Sequence, residues 1–520
     1  MFVSYIALWL AATATTLAES FANPVVYEDF SDNDVWRGPN GAFYFSASSF
    51  HFSPGAPILK SYDLVNWDFI GHSVPTLEWA PKYNMTGGTT AYNRGIWAST
   101  MRYRESNGLW YWIGCVDFSS THVYTAPSVT GPWKQSSVIN KCYYDCGLLI
   151  DDDDVMYVVY GRNNVTVAQL STDGLSEIQS KPAFNSPPGY SDIEGNRLYK
   201  RNGTYYVLDD QSDGKTFIWK SDNIWGPWSW RLMVNDLKSP VPGGGIIDQG
   251  SLVETAKGDW YFMSFVWAYP SGRMPILAPI TWGDDGFPVI GSVNGAWNVT
   301  YEYPLPRKDV PSWVGIDHFR GIALSPRWEW NHNPDPTKYT VDNGVTLQTA
   351  TVTDDLYHAR NTLTQRMHGP IAMGTIAIDL THMADGDRTG LAAFRGDTSW
   401  IGIERTGRYY TLMAVQGASL NTSTWQTHSN GSVVASRPFS SRRVWFRLIA
   451  DIQSGGSKLV NFSYSTDGIQ FTQFGEPATL STAWNYFMGI RFGIFNYATK
   501  ALGGHVKVIS FDTRGAPSSV

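Results

Sequence analysis

Trp110-Tyr111-Trp112, followed after a polar gap by a strand and then by Gly131-Pro132-Trp133, is the stretch from which the fold can be read. An aromatic strand, a gap, a second strand and a turn rich in Asp, Gly or Trp make one cycle, and the cycle returns. Ala42-Phe43-Tyr44-Phe45 leads to Ser61-Tyr62-Asp63-Leu64 and Trp67, and Met156-Tyr157-Val158 leads to Ser171-Thr172-Asp173-Gly174. Tyr205-Tyr206-Val207 leads to Gly226-Pro227-Trp228, and Trp260-Tyr261-Phe262 leads to Trp282-Gly283-Asp284. One such unit cannot bury its own faces, so units repeating every few tens of residues stack into a propeller or solenoid. Five irregular cycles predict a five-bladed β-propeller.

Beyond Tyr303 the pattern breaks at Pro304-Leu305-Pro306 and Pro311, which suits a linker. From Trp328 to Phe511 strands alternate again, among them Val444-Trp445-Phe446-Arg447-Leu448 and Val506-Lys507-Val508-Ile509-Ser510, with turns such as Asp467-Gly468. A β-sandwich is the simplest solution. Long amphipathic helical periods are missing throughout, so the class is all-β: a propeller over residues 19–310 and a linker with a β-sandwich over residues 311–520. A chain of 520 residues exceeds what one hydrophobic core serves, which agrees with two domains.

The formal net charge is −7, and Lys and Arg are scattered singly, which excludes the basic stripe that nucleic acid or an anionic membrane requires. Aromatic residues make up 15% of the chain and charged residues only 16%, a balance that suits stacking on the C–H faces of sugars and equally suits ordinary strand cores. Residues 1–18 carry the uncharged apolar run Ile6 to Leu17 and end in Thr16-Leu17-Ala18, a secretory signal by pattern. A secreted, extracellular and monomeric protein is expected. Glycan acceptor sequons at Asn84, Asn164, Asn202, Asn298, Asn421, Asn430 and Asn461 agree with export. Cys115, Cys142 and Cys146 do not form a metal-ligand set; one disulfide in this region is open, its partners undetermined.

Three carboxylates stand just before the first strands of different cycles: Asp32, Asp145 in Tyr143-Tyr144-Asp145-Cys146-Gly147, and Glu194 in Asp192-Ile193-Glu194-Gly195-Asn196. Inner strands of a propeller line its channel, so acids from separate blades converge there. Around them Ser48-Ser49-Phe50, Pro54-Gly55-Ala56-Pro57-Ile58, Ser61-Tyr62-Asp63-Leu64-Val65-Asn66-Trp67, Gly95-Ile96-Trp97-Ala98 and Gly272-Arg273 with Thr281-Trp282 follow in order. Together these resemble glycoside hydrolase family 43, the β-xylosidase and α-L-arabinofuranosidase family, over nearly the whole mature chain.

The resemblance implies that Asp32 is a general base, Glu194 the general acid and Asp145 the residue that orients the acid and raises its pKa. Inversion needs a carboxylate that activates water and a protonated carboxyl about 6.5–9.5 Å away that serves the leaving oxygen. The match departs at Asn33 and Asp34, where the family has Pro and Ser. Asp29 and Asp34 read as turn or strand-end residues, Asp192 as a loop residue, and Asp151-Asp152-Asp153-Asp154 as a solvated hairpin turn. Phe50, Trp97 and Tyr144 match positions that wall the sugar pocket, though an aromatic in a propeller is equally at home in its core. Arg273 matches an arginine that binds sugar hydroxyls.

No cofactor is required on this reading. Family members often carry a histidine before Gln-Gly, near a hydrated channel calcium, where this chain has Ile247-Asp248-Gln249-Gly250. A structural calcium near Asp248 and a hydrogen-bonded replacement both stay open, and no metal is assigned. In the second domain Ala359 to Arg366 and Ile494 to Lys500 resemble the sandwich of longer members. Trp484 is a candidate cleft residue, with a core role favoured. Asp32-Asn33-Asp34-Val35, Ser53 to Ile58 and Gly71 to Pro75 are similar to fungal members that debranch arabinoxylan, including ones acting on doubly substituted xylose. The expectation is an α-L-arabinofuranosidase on arabinoxylan. The alternatives are a β-xylosidase on xylo-oligosaccharides and, from another class, a non-catalytic glycan-binding propeller.

Overall fold

The computed structural model describes residues 19–518, so the expected signal at 1–18 lies outside the described residues. Strands that begin with short polar turns and carry aromatic, β-branched middles pair into five antiparallel four-stranded sheets, the blades of a propeller. Blade I is built from Asp34–Arg37, Phe43–Ser46, Gly55–Ser61 and Trp67–Val74. Blade II opens with Ile96–Arg104, blade III with Gly147–Ile150, blade IV with Ile193–Arg201 and blade V with Ile247–Glu254. Each aromatic run that marks a cycle is the second strand of its blade, Leu109–Val116 in blade II and Trp260–Trp267 in blade V for example. The innermost strands are the less aromatic segments before them, because they face a channel rather than a neighbouring blade. Ser20–Ala22 pairs with Thr300–Glu302, which ties the start of the propeller to its end.

The sandwich packs two sheets around Trp328, Ile376, Leu391, Ile401, Phe446, Leu448, Phe492 and Ile494, all at most 2% exposed. One of these sheets has as its last strand Phe52–Ser53, which belongs to the propeller: Ser53 pairs with Trp330 and Phe52 with Asn331. Buried charge fastens the same seam. Glu329, fully buried, accepts from His72 of blade I at 3.0 Å and from Arg366 at 2.9 Å, and it also pairs with Arg491. The two guanidinium groups hold its carboxyl well below the usual range against the opposing effect of burial. Asp34 stands at the end of its strand and is also a buried anchor in the channel wall. It accepts from Arg102 at 2.6 Å, Thr100 at 2.7 Å and the Met101 N–H at 2.9 Å. The acidic run at 151–154 forms a turn, yet three of its four carboxylates have cationic partners, Asp152 meeting Lys200 at 2.9 Å. Asp151 meets Lys200 at 2.5 Å and Asp154 meets Arg104 at 2.6 Å.

Two buried histidines, His51 of the propeller and His332 of the sandwich, sit with ring centroids 4.8 Å apart. His332 Nε2 accepts from the Ala91 N–H at 2.8 Å and is therefore unprotonated there. Burial pushes His332 down to about 3 and His51 well below its ordinary value. Below about pH 6.5 the unfolded chain binds protons that these folded histidines refuse. Stability is thus expected to fall by about 1.4 kcal/mol per pH unit for each of them. Replacing His332→Gln keeps an acceptor for Ala91 and should remove about one proton from that slope between pH 6 and 4, read from urea unfolding. An unchanged slope would show that His332 titrates normally in the fold.

Candidate active site

The innermost strands of blades II, IV and V each slip register at the same depth, between Ile96 and Ser99, Glu194 and Arg197, and Asp248 and Ser251. Such bulges re-aim side chains, and these turn polar groups into one cavity at the channel mouth. The cavity measures about 1170 Å³ and is lined from both domains, by Asp32, Tyr144, Asp145, Glu194 and Arg273 of the propeller and by Trp484 and Phe487 of the sandwich. All three predicted carboxylates meet there. Asp32 (φ 56°) and Asp145 (φ 48°) take left-handed backbone just ahead of their blades' first strands, whereas Glu194 lies within its strand.

Each carboxylate has distinct partners. Asp32 accepts from Ser48 at 2.6 Å and from both terminal nitrogens of Arg273, at 2.7 and 3.2 Å. Glu194 accepts from the Tyr144 hydroxyl at 2.8 Å and the Ser212 hydroxyl at 3.1 Å, and Arg162 lies 3.5 Å away. Asp145 accepts only the Gly195 N–H, at 3.2 Å. Burial raises Glu194 above the usual carboxylate range, with Asp248 adding to it and Tyr144 and Arg162 restraining it. Burial, then Glu194 and Asp32, push Asp145 up further. The sequence expectation placed the raised acid on Glu194 beside a charged Asp145; in the structure both members are raised.

Beneath them Arg197, fully buried, spends its guanidinium on main-chain oxygens. It donates to Asp32 O at 2.8 Å, Asn33 O at 3.0 Å, Cys146 O at 2.9 Å and Asn196 O at 2.9 Å.

Trp97 and Tyr144 line the cavity as expected, but Phe50 does not: it is 1% exposed and packs behind Trp97, with centroids 4.8 Å apart. Arg273 lines the cavity with its fork already occupied by Asp32 and its Nε donating to Phe487 O at 3.2 Å, rather than free for sugar hydroxyls. Trp484, for which a core role was favoured, is 57% exposed at the rim, its ring 5.8 Å from Trp267. Asp192 is an exposed loop residue that pairs with Arg162 at 3.0 Å. Sequence reading passed over Arg162, Asp210, Ser212 and Phe487. Only Asp210 left a signal there: the Asn202-Gly203 turn places it across the hairpin from Glu194, its observed partner. Cys115 and Cys142 form the disulfide and Cys146 is free and buried.

At the position where calcium was left open, Asp248 faces another acid. Burial, then Asp248, Glu194 and Asp145, hold the Asp210 carboxyl well above the usual range. Gly195 makes room for it, since a Cβ there would lie 1.8 Å from Asp210 Oδ1. Among the described residues no group of three or more His, Cys, Asp or Glu is arranged to hold a metal ion. Calcium takes six to eight oxygens, and this donor set does not fit a calcium held by protein ligands.

The sequence model of Glycosyl hydrolases family 43 matches residues 21–288, and that of the beta xylosidase C-terminal concanavalin A-like domain matches residues 316–514. A solved family 43 glycoside hydrolase, described as engineered to display both endo-xylanase and exo-arabinofuranosidase activity, is 39% identical. It superposes with a TM-score of 0.92 over 95% of this chain and 99% of its own. A beta-xylosidase of Formosa agariphila is 25% identical over 94% of this chain and 89% of its own length. A non-reducing end alpha-L-arabinofuranosidase of Bacteroides ovatus is 27% identical over 63% of this chain and 64% of its own.

A bound calcium present at about a hundredfold over its dissociation constant would add about 2.7 kcal/mol to stability. Chelation is accordingly expected to leave the thermal midpoint where it is. A drop of several degrees, reversed by adding calcium back, would reveal a metal.

Proposed function

The chain belongs to glycosyl hydrolases family 43 and is a glycoside hydrolase of its xylosidase and arabinofuranosidase group; on that premise we propose that it is a secreted, inverting, exo-acting α-L-arabinofuranosidase that removes single arabinofuranosyl side chains from arabinoxylan. The observation that carries this reading is the breadth of the cavity. At about 1170 Å³ it exceeds the roughly 300–1,000 Å³ that encloses a drug-sized ligand. One terminal pentose fills a small part of it, which leaves room for the xylose that bears the side chain and for its neighbours along the backbone. The exo-arabinofuranosidase activity in the description of the 39% identical structure supports the same choice. Release of xylose from xylo-oligosaccharides is the second reading, favoured by the relatives named as beta-xylosidases.

In the proposed mechanism Asp32 takes a proton from a water held in the cavity, and that water attacks the anomeric carbon. Ser48 and Arg273 hold both Asp32 oxygens and fix its orientation for this step. Glu194, raised by burial, gives its proton to the leaving oxygen as the glycosidic bond breaks. Asp145 shares the resident proton with Glu194 and keeps the pair from losing it early. The water oxygen ends on the sugar, opposite the departing group, and solvent then returns the proton from Asp32 to Glu194. Secretion further implies glycans, for which the exposed Asn164, Asn202, Asn421 and Asn430 are suited. Asn298 has its amide donated to Thr300 O at 2.7 Å, and Asn461 has a buried Oδ1.

Purified protein on wheat-type arabinoxylan and on xylo-oligosaccharides is expected to release arabinose alone. Xylose alone would establish the second reading, and neither sugar would leave a binding propeller.

The acid has its own signature. Glu194→Ala should slow arabinoxylan, whose leaving alcohol needs a proton, by about 10²–10⁴-fold, and aryl arabinofuranosides far less, because a phenolate departs unaided. Equal losses on both would remove Glu194 from that role.

A further inference from the structure

Asp29 is three residues from the proposed base and only 7% exposed, yet it faces no solvent-borne chemistry. Both of its oxygens are taken by main-chain donors from different domains: Oδ1 accepts the Arg273 N–H at 2.8 Å and Oδ2 the Gly489 N–H of the sandwich at 2.9 Å. Its own carbonyl accepts from Arg366 of the sandwich at 2.8 Å. Arg273 then closes the ring, donating to Asp32 at 2.7 Å and to Phe487 O at 3.2 Å, two residues before Gly489. The backbones come together without slack. A Cβ on Gly272 would lie 2.4 Å from Asp29 Oδ1, and one on Gly489 would lie 1.9 Å from Ser271 O. Asp32 itself sits at φ 56°, a left-handed conformation that an aspartate leaves readily unless something outside the turn holds it.

We propose that Asp29 is a positioning residue that makes the sandwich segment Trp484 to Gly489 part of the catalytic apparatus, holding Asp32, Arg273 and Phe487 in one fixed geometry. The proposal rests on the reading of Asp32 as base. On it, the second domain acts on the rate of the chemical step as well as on the shape of the cleft. The carboxylate is suited to the task because it alone offers two acceptors at the right spread; an amide offers one, and a methyl none.

The test compares Asp29→Asn, Asp29→Ala and Asp32→Asn in the full chain, with kcat and KM on an aryl arabinofuranoside and hydrogen exchange by mass spectrometry. Asp29→Asn should lower kcat about tenfold and Asp29→Ala about a hundredfold, with KM little changed, as expected for one and two lost positioning bonds. Exchange should rise together at residues 29–34 and 484–490 and stay as in the unaltered protein in blades II to IV. If Asp29→Ala does not fold, the Asn variant alone decides. Unaltered kcat in Asp29→Asn, or exchange raised throughout the molecule, would overturn the proposal while an inactive Asp32→Asn left the base in place. An active Asp32→Asn would overturn the base assignment and the clamp with it.

Discussion

The guanidinium of Arg197 occupies the floor of the channel with no access to water, and a charge so placed must find partners or destabilise the fold. It finds them in carbonyl oxygens of residues 32, 33, 146 and 196, which are the backbones that carry Asp32, Asp145 and Glu194. Three blades are thereby referred to one planar fork whose donors have fixed directions. The side chains above can then differ in protonation and partner without drifting in position. Asp34, 3.8 Å from the same guanidinium, supplies the countercharge from below.

Above that floor the site separates its charges by neighbourhood. The cation nearest Asp32 is the buried Arg273, whereas the cation nearest Glu194 is Arg162, which is half exposed and divided between Glu194 and Asp192. A buried pair keeps its strength, while an exposed one is weakened by water and salt. The arrangement therefore fixes one carboxylate firmly and leaves the other free to exchange a proton. Asp210 and Asp248 extend the acid side deeper, and burial with these acids alongside holds the Asp210 carboxyl well above the usual range.

How far the sequence revealed this depends on the range of the interactions. The propeller was legible because its aromatic second strands recur, each contacting its own blade. The acids were legible because they carry the family's motifs. The errors arose where a residue's neighbours are distant in the chain. Asp34 is the strand end it looked like, but its anchoring role was hidden because its partners Thr100 and Arg102 lie more than sixty residues away. Phe50 and Trp484 changed places, the first buried behind the wall and the second exposed upon it, because side-chain type alone does not say which domain covers which. Arg273 lines the cavity, but its engagement with Asp32 spans 241 residues and leaves no local trace. The Asp210 to Asp248 contact needed two hairpins of different blades to be placed together.

The strand Phe52–Ser53 gives the molecule an unusual inheritance. It leaves a propeller blade to finish a sheet of the sandwich, so the ladder of that sheet is completed by residues encoded nearly three hundred positions earlier. A sandwich shuffled onto another protein would arrive with the strand of Trp330 and Asn331 open along one edge, and an open ladder edge invites pairing with foreign strands. A propeller released alone would lose the partner of its own short strand. Separation at the linker thus carries a cost on both sides of the cut, although each module has the outline of a separate domain.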